Sequence, residues 1–242
     1  MAIAFVQKIP NTAAGTTFSN VTTVTLAAFG AQPAAGNFIA VLINRASDSG
    51  MGVVDDNAGN TYTAAWTEPV NTTPNPDYRA IAFYKENIAT TASLQVTARF
   101  LGASYGNLDA VEYSGVATSG SANGTPATAT GNSSSPAPGS ISDATGNNLY
   151  MTTHSMNVPG TVSGPGGSWT DRFLQSSNAN AAGSGADLIG SGTQTPVFSN
   201  TSSGQWVAGM AAFKQAAAGG AAPMIGSGLL LSGYRNAVIQ RV

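Results

Sequence analysis

Asn37-Phe-Ile-Ala-Val-Leu-Ile-Asn44 is the stretch on which the reading of this chain turns. It is apolar nearly throughout and lies between Gly36 and Ser47-Asp-Ser-Gly50. Eight residues between two breakers suit a strand covered on both faces better than a short buried helix. A short strand at 51–54 follows and runs into Asp55-Asp-Asn-Ala-Gly-Asn60, a turn built from residues that tolerate left-handed backbone angles. Thr61-Tyr-Thr-Ala-Ala-Trp66 comes next, then three strand-like runs at 78–88, 93–100 and 107–115. In the first run Tyr78, Ala80, Ala82 and Tyr84 share one face, while Arg79, Ile81 and Phe83 share the other. Leu94, Val96 and Ala98 alternate with Gln95, Thr97 and Arg99, and Leu108 and Ala110 oppose Asp109, Val111 and Tyr113. A period of two marks half-buried strands. Thr- and Val-rich runs at 2–9 and 16–29 read as strands too.

The same order returns further on. Gly146-Asn-Asn-Leu-Tyr-Met-Thr-Thr-His154 echoes residues 36–44, Trp169–Leu174 takes the place of Tyr62–Trp66, and Gly204–Lys214 echoes Gly106–Val116. Short strands are expected at 186–190 and 195–199. No segment before residue 210 carries capped helical periodicity over three turns. The expected fold is all-β: one antiparallel, jelly-roll-like sandwich over 1–214. Its halves are 1–116 and 146–214, joined by a surface crossover at 117–145 that is rich in Ser, Thr, Gly and Pro. Residues 215–242 form a small-residue linker and an apolar, glycine-punctuated arm, with Leu229, Leu230, Leu231, Tyr234, Val238 and Ile239 as its contact residues. An apolar arm placed after a completed sandwich is expected to lie on a neighbouring molecule.

Charged residues are 8% of the 242, against about 25% in ordinary soluble domains. With 42% hydrophobic residues the chain is not disordered, so its surface must be coated with hydroxyls and amides. The net charge of −2 and the scattered cations argue against nucleic-acid binding. The absence of cysteine excludes disulfides and thiolate metal sites. No apolar run approaches the ~20 residues of a membrane-spanning helix, and the N-terminus does not read as a secretory signal.

Candidate sites are few. Gly102-Ala-Ser104-Tyr-Gly106 matches G-x-S-x-G, with Asp109 or Asp143 and then His154 following in hydrolase order. That chemistry needs a strand-to-helix elbow, and here a glycine hairpin loop between two strands is expected instead. His154 is the only histidine, which leaves only carboxylates to complete a metal site. Asp55, Asp56, Asn57 and Asn60 offer oxygens to Ca²⁺ but lack EF-hand spacing, and they read as a turn. Asp109 and Glu112 point to opposite faces and do not make a glycosidase pair. Glu68 and Asp77 bracket a proline loop. Tyr62, Trp66, Tyr78 and Trp169 are the candidate ligand platform, since amphipathic rings suit sugar faces; core packing is the competing use. No catalytic residue, metal or cofactor is expected.

Val54-Asp-Asp-Asn-Ala-Gly-Asn-Thr-Tyr62, Tyr84-Lys-Glu-Asn-Ile88, Val111-Glu-Tyr-Ser-Gly-Val116, Trp169-Thr-Asp-Arg172 and the Trp206–Lys214 run together resemble a β-sandwich module of tailed-phage virion proteins and bacterial surface proteins. The resemblance covers about residues 5–214. It implies fold and setting: display in several copies on a particle or a cell. Without a secretory signal, the virion is the expected location. The function expected is a structural part of a bacteriophage particle, such as a head decoration protein, bound to other virion subunits or to itself through the arm. The alternative is a carbohydrate-binding or adhesive module at a cell surface, recognising host-surface glycans through exposed Tyr and Trp.

Overall fold

The computed structural model describes residues 1–9, 15–71, 77–176 and 182–217. Its strands are β1 (Ala4–Ile9), β2 (Thr16–Thr25), β3 (Phe38–Ala46), β4 (Met51–Asp56), β5 (Thr63–Ala64), β6 (Val70–Asn71), β7 (Tyr78–Lys85), β8 (Val96–Ser114), β9 (Ala127–Ser133), β10 (Asn148–Met156), β11 (Val162–Ser163), β12 (Thr170–Gln175), β13 (Ala182–Gly190), β14 (Ser199–Asn200) and β15 (Gly204–Lys214). There is no helix among the described residues. The first sheet runs β1-β8-β3-β7-β5, with β2 and β4 also on β8 and β6 on β7; the second runs β12-β13-β10-β15-β9. β11 and β14 form a small ribbon.

The chain is an antiparallel sandwich. Read from the other end, the second sheet is β9-β15-β10-β13-β12, the order of the first sheet used again. The first sheet takes only strands before residue 115, and the second only strands after 126. The jelly-roll expectation therefore holds at the level of two facing antiparallel sheets, while the connectivity is that of two successive halves. The echo also slips by one residue. Phe38, Ala40 and Leu42 pack in one cluster with Leu149 and Met151, so Phe38 corresponds to Leu149 and not to Asn148. A slip of one moves a side chain to the opposite face.

β3 is buried along its whole length, as an apolar run without alternation requires. Phe38, Ala40 and Leu42 face the second sheet, meeting Leu149, Met151, Phe173 and Phe213. The Phe38 and Phe213 rings stand 4.8 Å apart. Ile39, Val41 and Ile43 face away, into a cluster with Phe18, Val24, Val54, Val96, Ala98 and Phe100. That second cover comes from β8.

β8 is one strand of 19 residues, where a hairpin loop was expected at 102–106. Its C-terminal part pairs with β1 and β3; its N-terminal part pairs with β2 and β4. Because β2 and β4 continue the courses of β1 and β3, the chain never reverses at the glycines. The sheet folds over itself instead, placing Val96, Ala98 and Phe100 on the outer face of β3 and β7. Gly106 lies at the fold, where a Cβ would overlap the Asn44 carbonyl oxygen and come within 2.8 Å of Arg45 Cα.

The crossover at 117–145 is not all surface loop. It contains β9, which pairs with β15 in unbroken register from Gly204↔Ser133 to Met210↔Ala127. Farther along, Ile141 and Ala144 cover Tyr150, Met210 and Ala212 on the outer face of the second sheet.

Candidate functional site

Four charged side chains meet between the sheets where β1 and β12 lie together. Lys8 comes from β1, Asp109 from the apolar face of β8, Arg172 from β12 and Asp187 from β13. Arg172 sits at a bulge between Asp171 and Phe173, which lets two neighbours in sequence both turn inward. Arg172 Nε and Nη2 donate to the two Asp187 oxygens at 2.8 and 2.9 Å. The Tyr113 hydroxyl donates to Asp187 as well. The Arg172 guanidinium lies 4.0 Å over the Phe5 ring. Lys8 Nζ stands 3.3 Å from Asp109 Oδ2 and donates to the Arg172 carbonyl.

A groove of about 540 Å³ opens above this cluster, lined by Phe5, Val6, Lys8, Ala27, Gly30 and Arg172. The two cations border it. The carboxylates lie behind them, with Asp109 at 0% and Asp187 at 2% exposure. The acids do not face the opening. Chemically the arrangement is a clamp joining the halves of the chain.

Burial pushes the Asp109 carboxyl up to about 8 from its ordinary 3.8, against the pull of Lys8. An acid whose pKa is higher in the folded than in the unfolded state favours folding below the unfolded value. That contribution is lost as pH rises through the folded value. Asp187 is pushed up to about 8 in the same way, while His154, pulled down to about 3, acts in the opposite sense below its ordinary 6.5. Thermal unfolding should therefore show falling stability as pH rises between 6.5 and 8, and Asp109→Asn should lessen that slope, leaving the part due to Asp187. Parallel curves for the two proteins would refute this assignment.

A second buried network gathers Arg45, Glu68, Asp77 and Arg79. Arg45, fully buried, gives Nε and Nη2 to Glu68 at 2.9–3.0 Å and Nη1 to the Ser49 carbonyl at 2.8 Å. Arg79 bridges Glu68 at 3.2 Å and Asp77 at 2.9 Å. The two acids that bracket the loop in sequence are thereby joined through one guanidinium.

The 55–60 turn is held by protein donors. Asp56 Oδ1 accepts from Ala58 N and Asn60 N, both at 3.0 Å, and Oδ2 accepts from Asn60 Nδ2 and the Tyr62 hydroxyl. Asp55 pairs with Arg99. A cation would need those oxygens free, so the turn reading is the one the geometry supports.

The hydrolase residues are not brought together. Ser104 lies within β8, donating to the Gly102 carbonyl and accepting from Arg45 at 3.4 Å. His154 is buried in the second sheet, 3.2 Å from Ser184 Oγ and packed on Phe198. Burial pulls its pKa down to about 3, so it stays neutral. Asp143 is exposed and caps Thr125.

The proposed aromatic platform is corrected by burial. Tyr62, Trp66 and Tyr78 are each 4% exposed, and each fills a core cluster. Trp66 lies flat against Gly209 and donates to the Ala80 carbonyl. Trp169 alone is half-buried and lines a groove of about 430 Å³ with Gly166, Gly167, Ile189 and Gln194. The arm residues Leu229, Leu230, Leu231, Tyr234, Val238 and Ile239 lie outside the described residues.

No family model, curated protein or solved structure matches this chain. The site must therefore be read from its own geometry. The inter-sheet clamp escaped the sequence reading because Lys8 and Arg172 are 164 positions apart. One signal was present: Asp109 shares the otherwise apolar face of Val111 and Tyr113, and a charge there needs a buried partner. No described helix is long and apolar enough to cross a membrane.

Proposed function

We propose that the protein is a non-catalytic structural subunit of a bacteriophage particle, an exposed decoration or other virion component, that binds neighbouring subunits through its C-terminal arm. One observation carries the reading. Each of the six buried charged residues among the described ones, Arg45, Asp56, Asp109, Glu112, Arg172 and Asp187, is used to tie strands, turns or sheets of the chain together. Such a body, coated with uncharged polar groups, suits display and packing. The resemblance noted in the sequence supports the phage setting, and the apolar content of residues 224–242 supports the clasp.

Removal of residues 219–242 is expected to leave a folded protein that no longer assembles onto its particle. Circular dichroism and thermal unfolding check the fold, and co-sedimentation with particles checks assembly. Normal incorporation of the truncated protein would reject the clasp. Genes for head or tail proteins are expected beside this one.

The Trp169 groove favours a second reading, a glycan-binding surface module. It requires hits on a glycan array that disappear in Trp169→Ala.

A further inference from the structure

The outer edges of the two sheets are not alike, and β2 and β4, each paired among the described strands only with β8, carry bulges at Phe18/Val21 and Met51/Val54. Natural sheets blunt their edges with bulges, charges, prolines or very short strands, because an open edge invites another strand. β1 carries a bulge at Phe5/Gln7, and its Gln7 side chain is bonded in both directions to Ala31. β5 and β6 have two residues each. β12 carries Asp171 and the Arg172 bulge. β9, Ala127-Thr-Ala-Thr-Gly-Asn-Ser133, has none of these devices. It is seven residues long, uncharged, free of proline and unbulged. No other strand among the described residues pairs with its outer side.

The inner face of β9 is also open. Thr128, Thr130 and Asn132 alternate as exposed residues along it. Below them the first sheet stops short, leaving a groove of about 480 Å³ lined by Ala64, Trp66, Thr67, Pro126 and Thr128.

We infer that β9 pairs antiparallel with β9 of a second copy of this chain, about a two-fold axis at Thr130, joining two five-stranded sheets into one of ten. The occupant follows from self-complementarity. The edge has no charge, so a copy meets no like-charge repulsion. The axis sets Thr130 opposite itself and Thr128 opposite Asn132, so hydroxyls meet hydroxyl and amide, and the threonines suit a pleated surface. A two-fold contact of this kind closes on itself and leads to no fibre. A seven-residue ribbon buries less than the ~800 Å² per partner of stable interfaces. The contact is therefore weak and depends on protein concentration. This inference does not depend on the phage reading or on the arm.

The chain contains no cysteine, so introduced thiols report without background. Directly opposed residues hold their Cβ atoms about 4.5–5.5 Å apart, which a disulfide spans at the closer, non-hydrogen-bonded pairs and a short thiol-reactive linker spans at either kind. In the full chain, Thr130→Cys should form a cross-linked dimer under mild oxidation or with that linker. Thr128→Cys alone should give little, and the Thr128→Cys/Asn132→Cys double variant should cross-link. Ser119→Cys, exposed elsewhere, should stay monomeric. Thr130→Lys in the wild-type background should shift the concentration-dependent mass towards monomer, with an unchanged circular dichroism spectrum. A monomeric Thr130→Cys, or equal cross-linking at Ser119, overturns the inference. Loss of the Thr130→Cys cross-link on deleting residues 219–242 also overturns it, by making the arm the occupant.

Discussion

Arg45→Ala is expected to destabilise the protein by about 3 kcal/mol, the low end for breaking a buried ion pair. For a chain of this size that lowers the Tm by roughly 6–12 °C. Arg45 is wholly buried, its guanidinium 5.6 Å from the Phe100 ring and bonded to Glu68 and to the Ser49 carbonyl. Removing it empties a space between β3 and the folded-over part of β8 and leaves Glu68 short of one partner. Arg79 remains on Glu68, which keeps the loss from the top of the range. Two controls separate burial from charge. Arg99→Ala removes the exposed pair with Asp55 and should cost less than about 1 kcal/mol. Glu68→Gln keeps the shape and should fall between the two. Chemical denaturation of the three variants measures the order; an Arg45→Ala protein no weaker than Arg99→Ala would show that the network holds nothing.

Gly106→Val should be comparably damaging, about 3 kcal/mol, near the upper end for overpacking. A Cβ at this position overlaps the Asn44 carbonyl oxygen and crowds Arg45 Cα, both backbone atoms of the neighbouring strand. No rotamer change can relieve a clash with backbone. The strands would have to part where Arg45↔Gly106 and Phe18↔Gly106 pair, which is where the sheet begins to fold over. Gly120→Ala is the control: that glycine is exposed, and nothing stands within 4 Å of an added Cβ, although its φ of 53° makes the substitution slightly strained. Thermal unfolding of the pair reads the difference. Equal stability would mean that the close approach at Gly106 relaxes freely.

The strands whose pattern was strong were legible before any coordinates. The apolar 37–44 run is the buried centre, and the alternating faces of β7 and of both parts of β8 are the faces found. Gly102 and Gly106 misled because a glycine signals a turn and a close approach with the same letter. Only pairing partners tell the two apart. β9 was hidden by composition: alternating Ala and Thr carries little hydrophobic contrast, and its strand character comes from β15 beside it. The aromatic residues were ambiguous for a physical reason, since a ring that suits a sugar also fills a core. The Lys8–Asp109 and Arg172–Asp187 pairs join residues 101 and 15 positions apart, each within its own half, and the halves are linked where Lys8 donates to the Arg172 carbonyl and Tyr113 to Asp187.

The order in which the two sheets are made has a consequence for biosynthesis. Every strand of the first sheet is synthesised before β9 begins, and once clear of the ribosome that sheet can cover one side of β3 with its own folded-over part. Its other side, with Phe38, Leu42 and Val111, has no lid until β10 and β15 arrive, about 100 residues later. At elongation rates of about 5–20 residues per second, this greasy surface waits for roughly 5–20 s. During that interval a nascent chain on a polysome sits beside identical nascent chains, with the same apolar face exposed on each.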